Sequence, residues 1–199
     1  RPIVTLDPVM AEDNESIHEI AKVYEGLLEY HYLKKPVEII PNLAESMPEI
    51  SEEETKYTFR VKKKVFFQDN ICFKDGKGRE LKASDFVYSI KRLADPKNNS
   101  PLLHFIEGKI LGLDNWIEKN KNLEKTDYSL DIEGLKIIDD YTFSVKLTKK
   151  NPLFIHVFCM WILFAVPKEA VDFYGENFKN NPVGTGPFVI KNFSTTENT

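Results

Sequence analysis

Alternation of apolar and polar side chains in two distant segments limits the folds open to this chain more than any other feature. Within residues 141–147 every second residue is apolar, from Tyr141 to Leu147, and polar side chains lie between them. Residues 56–61 repeat the pattern, with Tyr57, Phe59 and Val61 on one side. A period of two is typical of strands with one buried face. Both segments are therefore predicted to be half-buried β-strands.

Further strands and a β-hairpin follow from the residues around these segments. Residues 135–138 are mostly apolar, and Asp139 and Asp140 separate them from the strand at 141–147, which predicts a hairpin. Residues 65–67 are expected to pair with the strand at 56–61. Short strands are also expected at residues 3–6 and 188–190, with the second rejoining a sheet begun by the first.

Helical spacing of apolar residues predicts three helices. The first is expected to be capped by Asn14 and to have an apolar face made of Ile17, Ile20, Ala21, Tyr24, Leu27 and Leu28. The second covers residues 84–95, with Ser84 as its cap. The third starts after Pro167 and ends at Gly175. Helices mixed with strands in hairpins indicate an α+β fold.

Length and charge exclude several classes of protein. The 199 residues include 27 basic and 31 acidic side chains, a net charge of −4, which argues against a nucleic-acid-binding protein. Two cysteines are too few for a disulfide scaffold. The longest apolar segment, residues 153–166, is shorter than the roughly 20 residues of a membrane span, so it is expected to be a core segment. The first residues lack the apolar region of a signal peptide, and we expect a mature or trimmed start.

The candidate catalytic and metal-binding patterns in the sequence are better interpreted as structural features. Gly184-Thr185-Gly186 precedes a predicted strand, whereas phosphate loops precede a helix, so no cofactor is expected there. No two histidines have the spacing of metal ligands, and no metal is predicted. On a helix His156 and Cys159 would share a face; a buried cysteine and a hydrogen-bonded histidine are favoured, and a hydrolase stays an alternative. Asp139 and Asp140 are interpreted as turn formers. The sequence predicts no enzyme.

Motifs in a fixed order run along nearly the whole chain. They are Leu6-Asp7-Pro8, Tyr24-Glu25-Gly26-Leu27, Pro41-Asn42-Leu43-Ala44-Glu45-Ser46, Tyr57-Thr58-Phe59-Arg60-Val61, Val65-Phe66-Phe67, Leu81-Lys82-Ala83-Ser84-Asp85-Phe86-Val87-Tyr88-Ser89, Arg92-Leu93-Ala94-Asp95-Pro96, Ser100-Pro101, Tyr141-Thr142-Phe143-Ser144-Val145-Lys146-Leu147, Val166-Pro167-Lys168-Glu169-Ala170 and Pro182-Val183-Gly184-Thr185-Gly186-Pro187-Phe188. In this order they resemble the family 5 extracellular solute-binding proteins, the oligopeptide- and dipeptide-binding components of ABC importers.

The resemblance implies a periplasmic-binding-protein-like fold (type II, cluster C), in which two lobes close on a ligand about a hinge. Residues 1–24 and 181–199 would belong to the main domain of the first lobe, with its mixed sheet. Residues 25–180 would form an α+β subdomain inserted into it. Chains of this family are much longer, so the second lobe is expected to lie beyond this sequence. The present stretch alone is expected to bind ligand poorly.

The resemblance also implies a function and a set of ligand-binding residues. It implies a monomeric, non-enzymatic receptor, periplasmic or extracellular with a lipid anchor as one option, that delivers peptides or similar small solutes to an ABC permease. Ala11, Glu12, Asp13 and Asn14 would line the cleft, together with Leu102, which stands where many members have an aromatic residue. Asn14 is equally well interpreted as a helix cap, and Glu12 as a solvated acid. The alternative is a non-transport scaffold or interaction module on the same fold.

Overall fold

The computed structural model describes residues 2–190 and contains both helices and strands. The α-helices and β-strands, in chain order, are α1 (Asn14–Val23), β1 (Leu28–Tyr30), β2 (Ile39–Pro41), β3 (Glu49–Ile50), β4 (Lys56–Arg60), α2 (Ala83–Leu93), α3 (Leu113–Lys121), β5 (Leu135–Asp139), β6 (Thr142–Lys146) and α4 (Lys168–Tyr174). Short 3-10 helices cover Lys74–Gly76, Leu103–Phe105, Pro152–Cys159, Trp161–Leu163 and Gly175–Asn180. The mixture confirms the predicted α+β class.

A four-stranded antiparallel sheet in the order β3-β4-β6-β5 organises the core. Phe59 on β4 is directly opposite Phe143 on β6, and the two rings stack 5.5 Å apart. Tyr57 and Val145 form the next pair on the same face of the sheet, and all four side chains are at most 2% exposed. The strand predicted at 56–61 and the hairpin predicted at 135–147 are both confirmed, and alternation places Tyr57 and Phe59 of β4 in the core.

Helix α2 and the apolar segment after Asn151 cover the buried face of this sheet. The ring of Phe86 stacks on that of Phe143 with 5.9 Å between the ring centres, and the ring centres of Phe158 and Phe59 are 4.5 Å apart. Phe158 and Ile162 are almost fully buried, which confirms residues 153–166 as a core segment. No helix described between residues 2 and 190 is long and apolar enough to cross a membrane.

The predicted pairing of residues 65–67 with the strand at 56–61 is wrong. Both edges of β4 are already occupied, by β3 and β6. Residues 65–67 instead form a short bridge to residues 79–81: Phe67 N–H donates to the Arg79 carbonyl at 3.0 Å, and Leu81 N–H donates to the Val65 carbonyl at 2.8 Å.

Two predicted helix caps are also wrong. Asp13, not Asn14, caps α1, because its carboxylate accepts the Ser16 N–H at 2.8 Å. Helix α2 begins one residue before Ser84, which is exposed. There the Asp85 carboxylate accepts the N–H of Lys82 at 2.8 Å.

Helix α1 is shorter than its apolar pattern predicts. It ends at Val23, and Tyr24 is already extended, with ψ 160°. Leu27 and Leu28 are buried, but they reach the core from the turn and from β1 rather than from a helix. Gly26 forms this turn against Phe164, whose ring would lie 2.8 Å from a Cβ atom at residue 26.

The strands expected at residues 3–6 and 188–190 do not form ladders in the described structure. Val4 and Thr5 N–H groups donate to the Ser16 hydroxyl instead, and Leu6 N–H donates to the Lys179 carbonyl at 2.8 Å. Phe188 N–H donates to the Lys22 carbonyl at 3.3 Å, beside the end of α1. Residues 3–6 and 188–190 therefore lie outside the described strands.

Candidate functional site

The segment from Asp7 to Asp13, called here the N-terminal loop, starts at a buried ion pair. The Asp7 carboxylate accepts two hydrogen bonds from the Arg92 guanidinium, at 2.7 and 2.6 Å. Their side chains are 9% and 5% exposed. Burial alone would lower the pKa of Arg92, but the hydrogen bonds and charge of Asp7 outweigh it and raise that pKa, so the guanidinium stays charged. The Phe178 ring lies 5.0 Å from the guanidinium.

The hydroxyl of Ser100 joins the first part of this loop to a second motif. Ser100 Oγ donates to the Val9 carbonyl at 2.5 Å and accepts the Leu102 N–H at 3.2 Å. The Asp7 carboxylate also accepts the Val9 N–H at 3.2 Å. The Leu-Asp-Pro and Ser-Pro motifs, far apart in the sequence, therefore meet through one side chain.

The second part of the loop is held by Trp161 and by the start of α1. The indole Nε1–H of Trp161 donates to the Ala11 carbonyl at 3.0 Å. Asp13 ends the loop as the N-cap of α1. Partial burial alone would raise the pKa of Asp13, but hydrogen bonds from Ser16 outweigh it and lower that pKa. The loop is thus anchored near its start, middle and end.

The predicted ligand-binding residues differ in what they present to solvent. Ala11 is fully buried, Glu12 and Asn14 are exposed, and Asp13 is half-buried. Leu102 is tied to the same loop through Ser100, but it is only 5% exposed. The structure thus places residues 11–14 at the N-terminus of α1 and buries the Leu102 side chain in the core.

Sequence reasoning did not assign a role at this loop to Ser100, Trp161 or Arg92. In the sequence Arg92 belongs to a family motif, and Trp161 lies within the apolar segment 153–166. A serine before proline, and an indole whose N–H needs an acceptor, are local features that point to hydrogen bonding. Their partners lie 91 and 150 residues away, so the sequence does not identify them.

The glycines of residues 184–186 serve close packing. A Cβ atom at Gly184 would lie 2.1 Å from the Val23 carbonyl oxygen, and one at Gly186 would lie 2.7 Å from the Lys22 oxygen. Gly186 N–H donates to Val23 at 2.8 Å. Residues 184–186 therefore pack on the end of α1, where only glycine leaves room for so close an approach of two backbones.

The catalytic alternatives gain no support from the geometry. His156 Nδ1 lies 2.9 Å from the Tyr30 hydroxyl. Burial raises the pKa of the Cys159 thiol to about 11, the opposite of what a nucleophile needs. Asp139 accepts the Tyr141 N–H at 2.8 Å, as a turn former does. Among residues 2–190 there is no group of three or more His, Cys, Asp or Glu side chains placed to hold a metal ion.

Comparison with known proteins agrees with this arrangement of motifs. The family model described as bacterial extracellular solute-binding proteins, family 5 Middle, matches residues 38–199. The periplasmic oligopeptide-binding protein OppA of Escherichia coli is 29% identical over 198 residues, which cover 98% of this chain and 33% of OppA. The dipeptide-binding protein of Escherichia coli is 31% identical over 166 residues, 78% of this chain and 27% of that protein.

A solved structure extends the likeness to the fold. The substrate-binding domain of an oligopeptide ABC transporter from Bacillus anthracis superposes with a TM-score of 0.79 and 25% identity, over 98% of this chain and 34% of that one. The chain spans about a third of the length of the relatives it matches. The family resemblance is confirmed: the chain belongs to the family 5 bacterial extracellular solute-binding proteins.

Proposed function

We propose that the protein is the substrate-binding component of an ABC transporter, which captures peptides or similar small solutes between two lobes and delivers them to a membrane permease. The observation that carries this proposal is the family match over residues 38–199. The protein acts outside the cytoplasmic membrane, periplasmic or extracellular, with a lipid anchor as one arrangement. It works as a monomer without a cofactor and without nucleic acid, and it is not an enzyme.

We infer that the N-terminal loop forms part of the ligand-binding wall. Glu12 and Asp13 supply polar groups at its surface, Asn14 adds one from the first turn of α1, and Glu12 offers an exposed carboxylate to a cationic group of the ligand. Ala11 and Leu102 support the wall from the buried side. Main-chain hydrogen bonds and hydrated side-chain pockets let one receptor accept many peptides.

We further propose that residues 1–24 and 181–199 belong to one main domain, into which residues 25–180 are inserted. In support, the extended residues 183–188 contact the end of α1: Val183 N–H donates to the Tyr24 hydroxyl at 3.2 Å, and Gly186 N–H donates to Val23. The second wall of the cleft comes from a second lobe, the part of the family architecture that this stretch does not contain.

Thermal unfolding and calorimetry of the full-length protein test the function. A pool of short peptides is expected to raise the melting temperature and to give saturable heat, since a ligand at a hundred times its Kd stabilises the folded state by about 2.7 kcal/mol. Glu12→Gln is expected to weaken binding of peptides, while Glu52→Gln, an exposed acid elsewhere, is not. The proposal would be contradicted if the protein unfolds cooperatively and no peptide raises its melting temperature.

A further inference from the structure

We propose that Trp161 is a positioning residue for ligand binding: its indole N–H fixes the Ala11 carbonyl and thereby holds the N-terminal loop in the shape that receives ligand. This inference rests on the proposed function. Its basis is the hydrogen bond of 3.0 Å between these two residues, which are 150 positions apart in the sequence.

The indole is attached to a firmly held segment. The residues after Trp161, Ile162 and Leu163, are at most 3% exposed, and they belong to a 3-10 helix that packs on α2. Farther along, Val166 N–H donates to the Ser89 hydroxyl of α2 at 3.1 Å. Because this segment is held firmly, the indole N–H has little freedom to move toward the loop. The Ala11 carbonyl must therefore lie where the indole can reach it.

The accepting carbonyl belongs to a residue with no access to solvent. Ala11 is 0% exposed, so its carbonyl cannot readily exchange the indole for water. Losing the donor leaves a buried acceptor unpaired, which costs more than the net value of the bond. The loop is then expected to move until the carbonyl finds water.

Ala11 is the anchored residue that immediately precedes the exposed part of the loop. Glu12 follows it directly, so a displaced Ala11 displaces Glu12, whereas Asp13 and Asn14 are held by the start of α1. Binding groups must be held within about 0.5 Å of their productive positions to keep affinity. Ser100 anchors Val9, two residues earlier, and does not replace the Trp161 contact.

The test compares two tryptophans that each donate one hydrogen bond to a backbone carbonyl. Trp161→Phe keeps an aromatic ring and removes the bond to Ala11. Trp116→Phe removes an equivalent bond, 3.1 Å from Nε1 to the Leu130 carbonyl, which joins α3 to the segment that follows it and has no part in holding Ala11. In the full-length protein, calorimetry with short peptides measures affinity, and hydrogen–deuterium exchange measures the opening of residues 9–14.

Trp161→Phe is expected to weaken peptide binding about 3- to 10-fold and to speed exchange in residues 9–14, while Trp116→Phe leaves both unchanged. Equal affinities for wild type and Trp161→Phe, or equal losses in both variants, would overturn the inference. If the wild type binds no peptide, the proposed function fails. The exchange measurement still decides in that case, because unchanged exchange in Trp161→Phe overturns the positioning role.

Discussion

The Asp7 carboxylate neutralises the buried Arg92 and accepts the amide of Val9, so a single side chain sets both the charge and the shape at the start of the N-terminal loop. A buried charge without its partner is costly, because neither water nor a counter-charge then solvates it. The pair is therefore expected to matter far more for stability than the ion pairs at the surface of the molecule.

Asp7→Asn is expected to lower the free energy of unfolding by about 3–5 kcal/mol, since it leaves the Arg92 guanidinium buried beside a neutral amide. Denaturant titration measures this loss. Glu49→Gln is the control: it breaks an exposed pair with Arg60 and is expected to cost less than about 1 kcal/mol. Similar losses in both variants would contradict the buried-pair argument.

The cap of α1 gives a prediction for acid stability. The pKa of Asp13 is lower in the folded protein than in the unfolded chain, so its contribution is present above the unfolded pKa and lost as the pH falls through the folded pKa. Asp13→Asn keeps a capping oxygen and is expected to remove this part of the acid sensitivity.

Matched alanine variants locate the cap itself. Asp13→Ala is expected to cost about 1 kcal/mol near neutral pH, whereas Asn14→Ala is expected to be neutral or slightly stabilising, because Asn14 is an exposed residue inside the first turn and alanine is the better helix former. Unfolding curves at several pH values measure both effects. A larger loss from Asn14→Ala than from Asp13→Ala would return the cap to Asn14.

Elements with a strong local pattern were predictable, and elements that depend on distant partners were not. The strands β4 and β6 follow from alternation, their neighbour β5 follows from the turn at Asp139 and Asp140, and α4 follows from Pro167 and Gly175. The pairing of residues 65–67 was mispredicted, because the choice of a neighbouring strand is made by tertiary packing. The cap of α1 was mispredicted because Asp13 and Asn14 are equally good capping types, and only the backbone decides between them.

The candidate site likewise has one part that the sequence predicts and another that it does not. The position of residues 11–14 at the start of α1 follows from the motif and the helix pattern. The anchors of the loop do not, since Ser100 and Trp161 come from segments that contact it only in the folded chain. Leu102 shows the limit of a motif: the family resemblance predicts a ligand-binding residue at this position, and its side chain is only 5% exposed.

The extended segment at residues 183–188 gives a prediction about close packing. Gly184→Ala is expected to cost about 3 kcal/mol, because the new Cβ atom would overlap the Val23 carbonyl oxygen and backbone atoms have to move. Gly108→Ala is the comparison, since it meets no atom within 4 Å and is strained only by its φ of +68°. It is expected to cost about 1–2 kcal/mol. Calorimetric unfolding ranks the two, and the reverse order would contradict the packing argument.

At the level of the entire structure, Gln68 links the proposed insertion, residues 25–180, to the segment that follows it in the chain. Its side-chain Nε2 donates to the carbonyls of Gly186 at 2.8 Å and Phe188 at 2.7 Å, and its backbone N–H donates to Gly184 at 2.9 Å. One residue of the proposed insertion thus binds three carbonyls of the returning segment.

Gln68→Met keeps the length of the side chain and removes two of these bonds. Chymotrypsin is expected to cut after Phe188, which is 60% exposed, several-fold faster in this variant, because the segment opens more often. Peptide mapping of the full-length protein measures the rate, with Asp69→Asn as the control at the exposed neighbouring residue. An unchanged cleavage rate would show that Gln68 does not hold the segment.

The hydrogen bond between Val183 and the Tyr24 hydroxyl has a consequence for biosynthesis, because it joins residues 159 positions apart. A ribosome must deliver the whole intervening stretch before this contact forms. Closing an unfolded loop of that length is entropically unfavourable, whereas a folded insertion already holds its two ends together. Residues 25–180 are therefore expected to fold first, and a nascent chain halted before Val183 leaves the end of α1 uncovered.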